Sequence, residues 1–249
     1  MRLLIVNDDG INARGIQILA KELHKHHEVI VAAPNVQRSA SSHSITLNST
    51  LTIKEEIVPE VDCPTYSING TPADCTRLAV EKLMNFEVDL VISGINDGYN
   101  LGTDVLYSGT VSAAIEAAVV GVPAIAISCD GTEEGFRRGA EYALKVIEKL
   151  KDNKLSENIV LNVNIPKTEA VKGIKICSMG ERIYKDVFFE TLSEEGSRTY
   201  DIKGTPCDSD DETTDVGIIT KGYVTVTPLH YDLTNYNILK ETEKVFSEE

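Results

Sequence analysis

The chain begins with an uninterrupted aliphatic run, RLLIV at 2–6, which reads as a buried strand. The period then changes: Ile16, Leu19, Ala20 and Leu23 fall at i, i+3, i+4 and i+7, the spacing of one helix face. A second apolar run from Val29 to Ala33 ends at Pro34 and leads into the polar loop NVQRSASSHS. Alternation in ITLNSTLTIKEE predicts an antiparallel excursion between Ile45 and Ile68, and helical spacing returns over 76–84 with Leu78, Leu83 and Met84 facing inward. DLVISG at 89–94 is the next buried strand. The long polar connection NDGYNLGTDVLYSG separates it from an apolar helix stripe at Val111, Ala114, Ile115, Ala118 and Val119, which Gly121 and Pro123 stop. A strand at 124–128, an amphipathic helix at 136–150 and a strand at 159–165 complete the alternation. Strands and helices taking turns in this way predict an α/β fold, a mostly parallel sheet covered by helices on both faces.

After Pro166 the texture changes. Glycines, charges and the acidic stretch DSDDETTD interrupt two β-rich pieces near 173–177 and 222–227, so residues 167–249 read as a β-rich extension of a core at 1–166. The acidic stretch by itself predicts a solvated loop. A length of 249 residues suits a single domain of this kind.

Composition narrows the partners. A net charge of -15 argues against a nucleic-acid duplex or an anionic membrane surface, which are held by clustered Lys and Arg. An anion bound here needs a local reversal of the field, and a divalent cation is the usual means. The five cysteines are odd in number and contain no Cys-x-x-Cys pair, so neither a disulfide framework nor a thiolate zinc site is expected. No apolar run approaches the roughly 20 residues of a membrane helix, and the first residues carry no signal-peptide pattern. The expected location is the cytoplasm.

In an open parallel sheet, ligands bind outside the carboxyl ends of the strands. The unusual polar loops of this chain all fall there: NDDG after the first strand, RSASSHS after the second, SGINDGYN after the strand at 89–94. Asp8 and Asp9 are oxygen ligands suited to a hard cation such as Mg²⁺ or Mn²⁺. Taken alone, the pair also reads as one helix-capping and one solvated carboxylate. Ser39 or a neighbouring serine, together with Asn96, supplies further oxygens from the other two loops. Ser108, Gly109 and Thr110 stand where a helix begins, a place that attracts phosphate and equally accommodates an ordinary N-cap. NGTPADC at 69–75 has a helix-start pattern, with Thr71 as cap and Asp74 in the first turn, and either a structural or a ligand-recognition role suits it. His24, His26 and His27 cluster at a helix end as dipole-compensating surface. His43 and His230 lie in polar loops, and His230 is a candidate general acid.

Five blocks, NDDGI, RSASSHSITL, NGTPADC, SGINDGYNLGTDVLYSGTVSAAIEA and GYVTVTPLHYDLT, resemble in order and across nearly the whole chain the stationary-phase survival protein SurE family. The resemblance implies a metal-dependent phosphatase acting on nucleoside 5′- and 3′-monophosphates, with short polyphosphate as a further substrate. It implies one divalent ion per subunit held by Asp8, Asp9, Ser39 and Asn96, and so singles out Ser39 among the serines. Phosphate contacts are implied at Asn100, Ser108, Gly109 and Thr110, and the family histidine falls on His230. Asp8, Asp9 and His230 then form the catalytic set: an aspartate positions or deprotonates the attacking water and His230 protonates the leaving oxygen. The implied fold is a Rossmann-like core whose C-terminal elements reach across to another subunit, giving a dimer or tetramer. Two other readings compete. One is an aspartyl-phosphate mechanism of haloacid dehalogenase type, although those enzymes usually separate their two aspartates by one residue. The other is a nucleotide-sensing module without turnover.

Overall fold

Leu3 and Ile5 pack into one apolar cluster and Leu4 and Val6 into another, and all four are fully buried. A strand buried on both faces belongs inside a layered sheet. In the computed structural model of the chain, this strand, β1 (Arg2–Val6), lies within a sheet of nine strands. The structure describes residues 1–152, 159–185, 187–192, 196–208 and 211–247.

In chain order there follow α1 (Arg14–Leu23), β2 (Glu28–Pro34), β3 (Ile53–Glu55), β4 (Thr65–Ile68) and α2 (Pro72–Leu78), which runs on into a π turn at Ala79–Leu83. Next come β5 (Leu90–Asp97), a 3₁₀ turn at Gly102–Leu106, α3 (Gly109–Val119), β6 (Ala124–Cys129), α4 (Glu133–Asp152) and β7 (Val160–Asn164). The remainder supplies β8 (Ile174–Ile176), β9 (Arg182–Lys185), β10 (Phe188–Glu190), β11 (Tyr200–Ile202), β12 (Thr205–Asp208), α5 (Asp215–Thr220), β13 (Val224–Leu229) and α6 (Leu239–Phe246).

The sheet order is β3-β4-β2-β1-β5-β6-β7-β13-β8, and every neighbouring pair from β4 through β7 is parallel. The chain moves outward from β1 through β2 to β4 and then returns to β5 on the other side of β1. That reversal opens a crevice between the loops leaving β1 and β5. Helices α1 and α4 pack together over one face, α2 and α3 over the other. The α/β expectation of a mostly parallel, doubly covered sheet is met. Helix α3, GTVSAAIEAAV, is rich in small residues because it lies between the sheet and α2 and is buried almost all round.

Several boundaries differ from expectation for local reasons. Helix α2 starts at Pro72, ahead of the apolar spacing at 76 but where the NGTPADC pattern put it, with Thr71 and Asp74 forming a reciprocal capping box around it. Helix α4 starts at Glu133, ahead of 136, where the Thr132 hydroxyl accepts the Gly135 N–H at 3.0 Å. The antiparallel excursion reduces to β3 pairing with β4, while β4 itself runs parallel to β2.

The change of texture at Pro166 does not end the sheet. Strand β13 pairs antiparallel with β7, and β8 extends the sheet beyond it. Two short ladders, β9 with β12 and β10 with β11, stand apart from that sheet, and α6 buries none of its residues. No described helix is long and apolar enough to cross a membrane.

Candidate active site

The loop after β1 is braced from within. The Asn7 side chain, fully buried, donates to the Gly10 carbonyl at 3.0 Å and accepts the Gly10 N–H at 3.1 Å, closing a turn around Asp8 and Asp9. Gly10 has φ +98°, a conformation that side chains disfavour, so the residue after the carboxylates is held to glycine. Asn7 had no role in the sequence reading. Its sign was an amide at the first position of a tight polar turn.

Asp8 is 5 % exposed, and its carboxylate accepts from the Thr110 hydroxyl and backbone. Burial pushes its pKa up from 3.8 to about 6, against the Thr110 hydrogen bond and with help from the neighbouring Asp9 charge. Burial raises Asp9 as well, although the Asp97 N–H and the Gln37 side chain each approach its carboxylate at 3.3 Å. Neither aspartate forms an ion pair with a described residue. Adjacent carboxylates, both holding their protons too tightly, form a site that favours a cation.

Across the crevice, β5 slips register against β6 between Ser93 and Asn96. Gly94 permits this: a Cβ there would stand 2.4 Å from the Ile127 carbonyl oxygen. The bulge brings the Asp97 N–H to Asp9 and sets Asn96 beside it in the chain. Asn96 donates its Nδ2 to the Gly98 carbonyl at 2.8 Å, which leaves Oδ1 as its unused acceptor.

The third wall is the start of α3. Ser108 caps the helix in the ordinary way, its hydroxyl accepting the Val111 N–H at 3.1 Å. Gly109 touches the aspartate loop so closely that a Cβ on it would lie 2.7 Å from Asp8 Cβ, 2.8 Å from Asp8 Oδ2 and 2.9 Å from Ser41 Oγ. Asn100, 7 % exposed, is built into the sheet edge. Its N–H donates to Asn164 Oδ1 at 2.9 Å, its carbonyl accepts from Asn162 and Asn164, and its Nδ2 donates to Ser128 Oγ at 2.8 Å.

The serine loop between β2 and β3 is tied down repeatedly. Arg38 N–H donates to the Asp8 carbonyl at 2.7 Å, and Ser42 N–H to the Tyr107 carbonyl at 3.1 Å. His43 Nε2 lies 2.7 Å from the buried carboxylate of Glu116 on α3, which also lies 2.7 Å from Arg77 Nε. The Arg77 contact is an ion pair without hydrogen-bond geometry, since that Glu116 oxygen gains no hydrogen bond from it. Thr71 donates its hydroxyl to the Ser44 carbonyl at 2.7 Å, and Thr46 donates its N–H and hydroxyl to Asp74 at 3.0 and 2.6 Å. NGTPADC is therefore a clasp for the serine loop, and its structural reading is the one the geometry favours. Within the loop, Ser39 is exposed and its side chain makes no hydrogen bond to a described residue, whereas Ser41 carries its hydroxyl into the site.

His230 lies elsewhere. Thr225, Asn164, Ser128 and Asn96 are level with one another across the sheet, at the edge that carries the aspartates. Strand β13 runs the opposite way, so His230, five residues beyond Thr225, is displaced by roughly 17 Å toward the far edge. There it is exposed and accepts the Asp232 N–H at 3.1 Å. The structure brings Asp8, Asp9, Asn96, Gly109 and Thr110 to one crevice and leaves His230 of the same chain outside it. Two smaller expectations are corrected. Asp215, last of the acidic stretch, is fully buried and accepts the N–H groups of Gly102, Gly180 and Val216, so it is a staple and not a solvated charge. His27 is buried, unlike its exposed neighbours His24 and His26.

The family model described as Survival protein SurE matches residues 3–186. The chain belongs to the SurE family. A 5′-nucleotidase SurE of a type A Clostridium botulinum strain is 49 % identical over 251 residues, covering 99 % of both chains. That of Clostridium beijerinckii is 46 % identical over 252 residues, with the same 99 % coverage of each. The crystal structure of the SurE protein from Aquifex aeolicus superposes with a TM-score of 0.83 at 37 % identity, covering 98 % of this chain and 99 % of that one.

The crevice of this SurE chain suits a hard divalent cation. No three His, Cys, Asp or Glu side chains gather at one point among the described residues, so an ion at the two aspartates would have to complete its shell with neutral oxygens. An amide oxygen and hydroxyls are what the adjoining loops offer, a donor set matched to Mg²⁺ or Mn²⁺.

Proposed function

We propose that the chain hydrolyses nucleoside 5′-monophosphates, and 3′-monophosphates with them, to nucleoside and inorganic phosphate. One Mg²⁺ or Mn²⁺ per subunit would be held by Asp8, Asp9, Ser39 and Asn96. The observation that carries this reading is the contact at Gly109, where the start of α3 approaches the Asp8 carboxylate so closely that a methyl group there would collide with it. The contact between Asp8 and the start of α3 supports reading them together as a cation ligand and a phosphate seat. The nucleotide as substrate is supported by the Clostridium relatives, which are named 5′-nucleotidases.

When bound, the ion supplies charge neutralisation at the phosphoryl oxygens. Asp8, fixed by Thr110, is the rigid carboxylate of the pair. Asp9, half-buried and held by contacts of 3.3 Å, is the one placed to orient the attacking water and take its proton. Within the Ser108–Thr110 turn the Ser108 N–H donates to the Asp104 carbonyl and the Thr110 backbone to Asp8, so the Gly109 N–H is the one that would meet the phosphoryl group, and Asn100 holds that edge of the sheet in place. Short polyphosphate presents a similar terminal group to the same seat.

His230 stands at the far edge of its own sheet, so protonating the leaving oxygen is a role it fills only across a subunit boundary. Homo-oligomerisation, as a dimer or tetramer, is supported by the apolar side chains left exposed on the small ladders and on α6, among them Ile183, Phe188, Ile202, Leu239 and Phe246. A cytoplasmic enzyme acting on nucleotides is consistent with this set.

Phosphate release from a panel of 5′- and 3′-nucleotides and polyphosphate, with Mn²⁺ or Mg²⁺ and then with excess chelator, tests the proposal. Turnover that appears with metal and vanishes with chelator is the expected result. Folded protein that binds nucleotide in the presence of metal but releases no phosphate would replace the enzyme by a sensing module.

A further inference from the structure

Ser41 lies two residues beyond the serine assigned to the metal, and it differs from Ser39 in what surrounds it. Its Oγ is buried yet has no hydrogen-bond partner among the described residues. A desolvated hydroxyl without a partner is unfavourable and calls for a reason. That oxygen points to the surface of Gly109, 2.9 Å from where a Cβ would stand, and Asp8 Oδ2 lies 2.8 Å from the same point. The position is fixed from both sides. Arg38 N–H is bound to the Asp8 carbonyl and Ser42 N–H to the carbonyl of Tyr107, the residue before the α3 cap. Ser41 is thus held against the aspartate loop and the helix start together, with one polar atom left over.

We propose that Ser41 is a phosphoryl-binding residue, whose hydroxyl donates a hydrogen bond to a non-bridging phosphoryl oxygen seated at the Gly109 end of α3. This rests on the reading of the crevice as a phosphomonoester site. The chemistry favours a donor role. Asp8 and Asp9 already bring negative charge to the crevice and form no ion pair with a described residue, so an incoming phosphoryl group has to be met by the cation and by neutral donors. A serine hydroxyl that rotates freely and has no competing acceptor is such a donor. Ser39, exposed on the flank of the loop, keeps the metal role, and the two serines divide the work.

The full-length protein loaded with Mn²⁺ and titrated calorimetrically with inorganic phosphate gives the test independently of turnover. Ser41→Ala is expected to weaken phosphate binding by about ten-fold or more, the usual loss for a hydrogen bond to a charged group. The KM for a nucleoside monophosphate should rise by a similar factor, with kcat changed less and Mn²⁺ affinity in the absence of phosphate unchanged. Ser39→Ala should give the opposite pattern, losing Mn²⁺ first. Ser41→Ala removes an unpartnered group, so its melting temperature should equal or exceed that of the wild type, and Ser41→Gly serves if the alanine variant fails to fold. Wild-type phosphate affinity in a folded Ser41 variant overturns the proposal, as does parallel loss of Mn²⁺, which would make Ser41 a metal ligand. Should the wild type bind phosphate but turn over no nucleotide, the nucleotidase reading falls while phosphate affinity still decides for or against Ser41.

Discussion

Asp8 and Asp74 are almost equally closed to solvent, 5 % and 7 % exposed, but Asp8 lies deeper in the protein and their proton affinities move in opposite directions. At Asp74 the burial that raises the pKa is outweighed by hydrogen bonds from Thr46 and Thr71, and the carboxylate ends below its ordinary value. At Asp8 burial wins, Thr110 is the one other residue donating to it among the described residues, and the adjacent Asp9 adds like charge. Solvent exposure alone therefore does not separate the two carboxylates. Depth of burial and the donors around each one do. Asp74 is satisfied by its own chain, whereas Asp8 and Asp9 remain short of positive charge, which is the property expected of ligands for a cation.

The largest effect should come from removing the less constrained carboxylate of the pair. Asp9→Asn is expected to lower kcat/KM by roughly 10²–10⁴-fold, with an unchanged circular dichroism spectrum. Near-wild-type turnover would erase the functional side of the contrast. In chelator, Asp8→Asn should stabilise the protein at pH 7. The folded carboxyl holds its proton to about pH 6 and the unfolded one releases it near 3.8, a difference of about 3 kcal/mol as an upper bound. Between those values the unfolded state binds fewer protons, so the Asp8 contribution makes stability fall as pH rises and level off above pH 6. Denaturant titrations of wild type and variant from pH 4 to 8 should show that slope only in the wild type.

Asp74→Ala should instead destabilise by about 2 kcal/mol, through loss of the cap and of the Thr46 and Thr71 partners. Because folding lowers the Asp74 pKa, its stabilisation is present above the unfolded value and is lost as pH falls toward the folded one, the reverse of Asp8. The serine loop should loosen with it, read as faster hydrogen exchange at Ser42 and Thr46. The smallest effect is expected at Arg14, whose bidentate pair with Glu133 is solvent-exposed: Arg14→Ala should leave turnover within two-fold, by roughly the margin usual for surface pairs.

Much of the scaffold was legible because periodicity reports burial directly. The span of β1 and the existence of β2, β5, β6, α3 and α4 follow from runs and stripes of apolar residues. The convergence of the NDDG and SGIN loops follows from their both leaving the carboxyl ends of strands in a parallel sheet. Direction is a different matter: a buried strand has the same pattern whichever way it runs. Nothing in GYVTVTPLH distinguishes an antiparallel β13, and that one choice carries His230 away from the aspartates. Asp215 was hidden by its acidic neighbours, since composition describes the stretch and not the one residue that turns inward. Ser39 and Ser41 are chemically identical in RSASS, and their surroundings in the fold separate them, Ser39 exposed and Ser41 turned against Gly109. The Thr71 cap and the place of Asp74 were legible in NGTPADC, but their ties to Ser44 and Thr46, 27 and 28 residues away, are not a matter of local spacing, and the Asn7 turn closes on backbone groups of Gly10 that residue types do not report.

The central claim is that Asp8 and Asp9 are paired to hold a cation against the start of α3. A crystal soaked in Mn²⁺ and measured for anomalous scattering tests it most directly. A single strong peak in contact with both aspartates and Asn96, beside Gly109, is the predicted result. No anomalous peak at that crevice at saturating Mn²⁺, or a peak confined to other acidic surface, would contradict it.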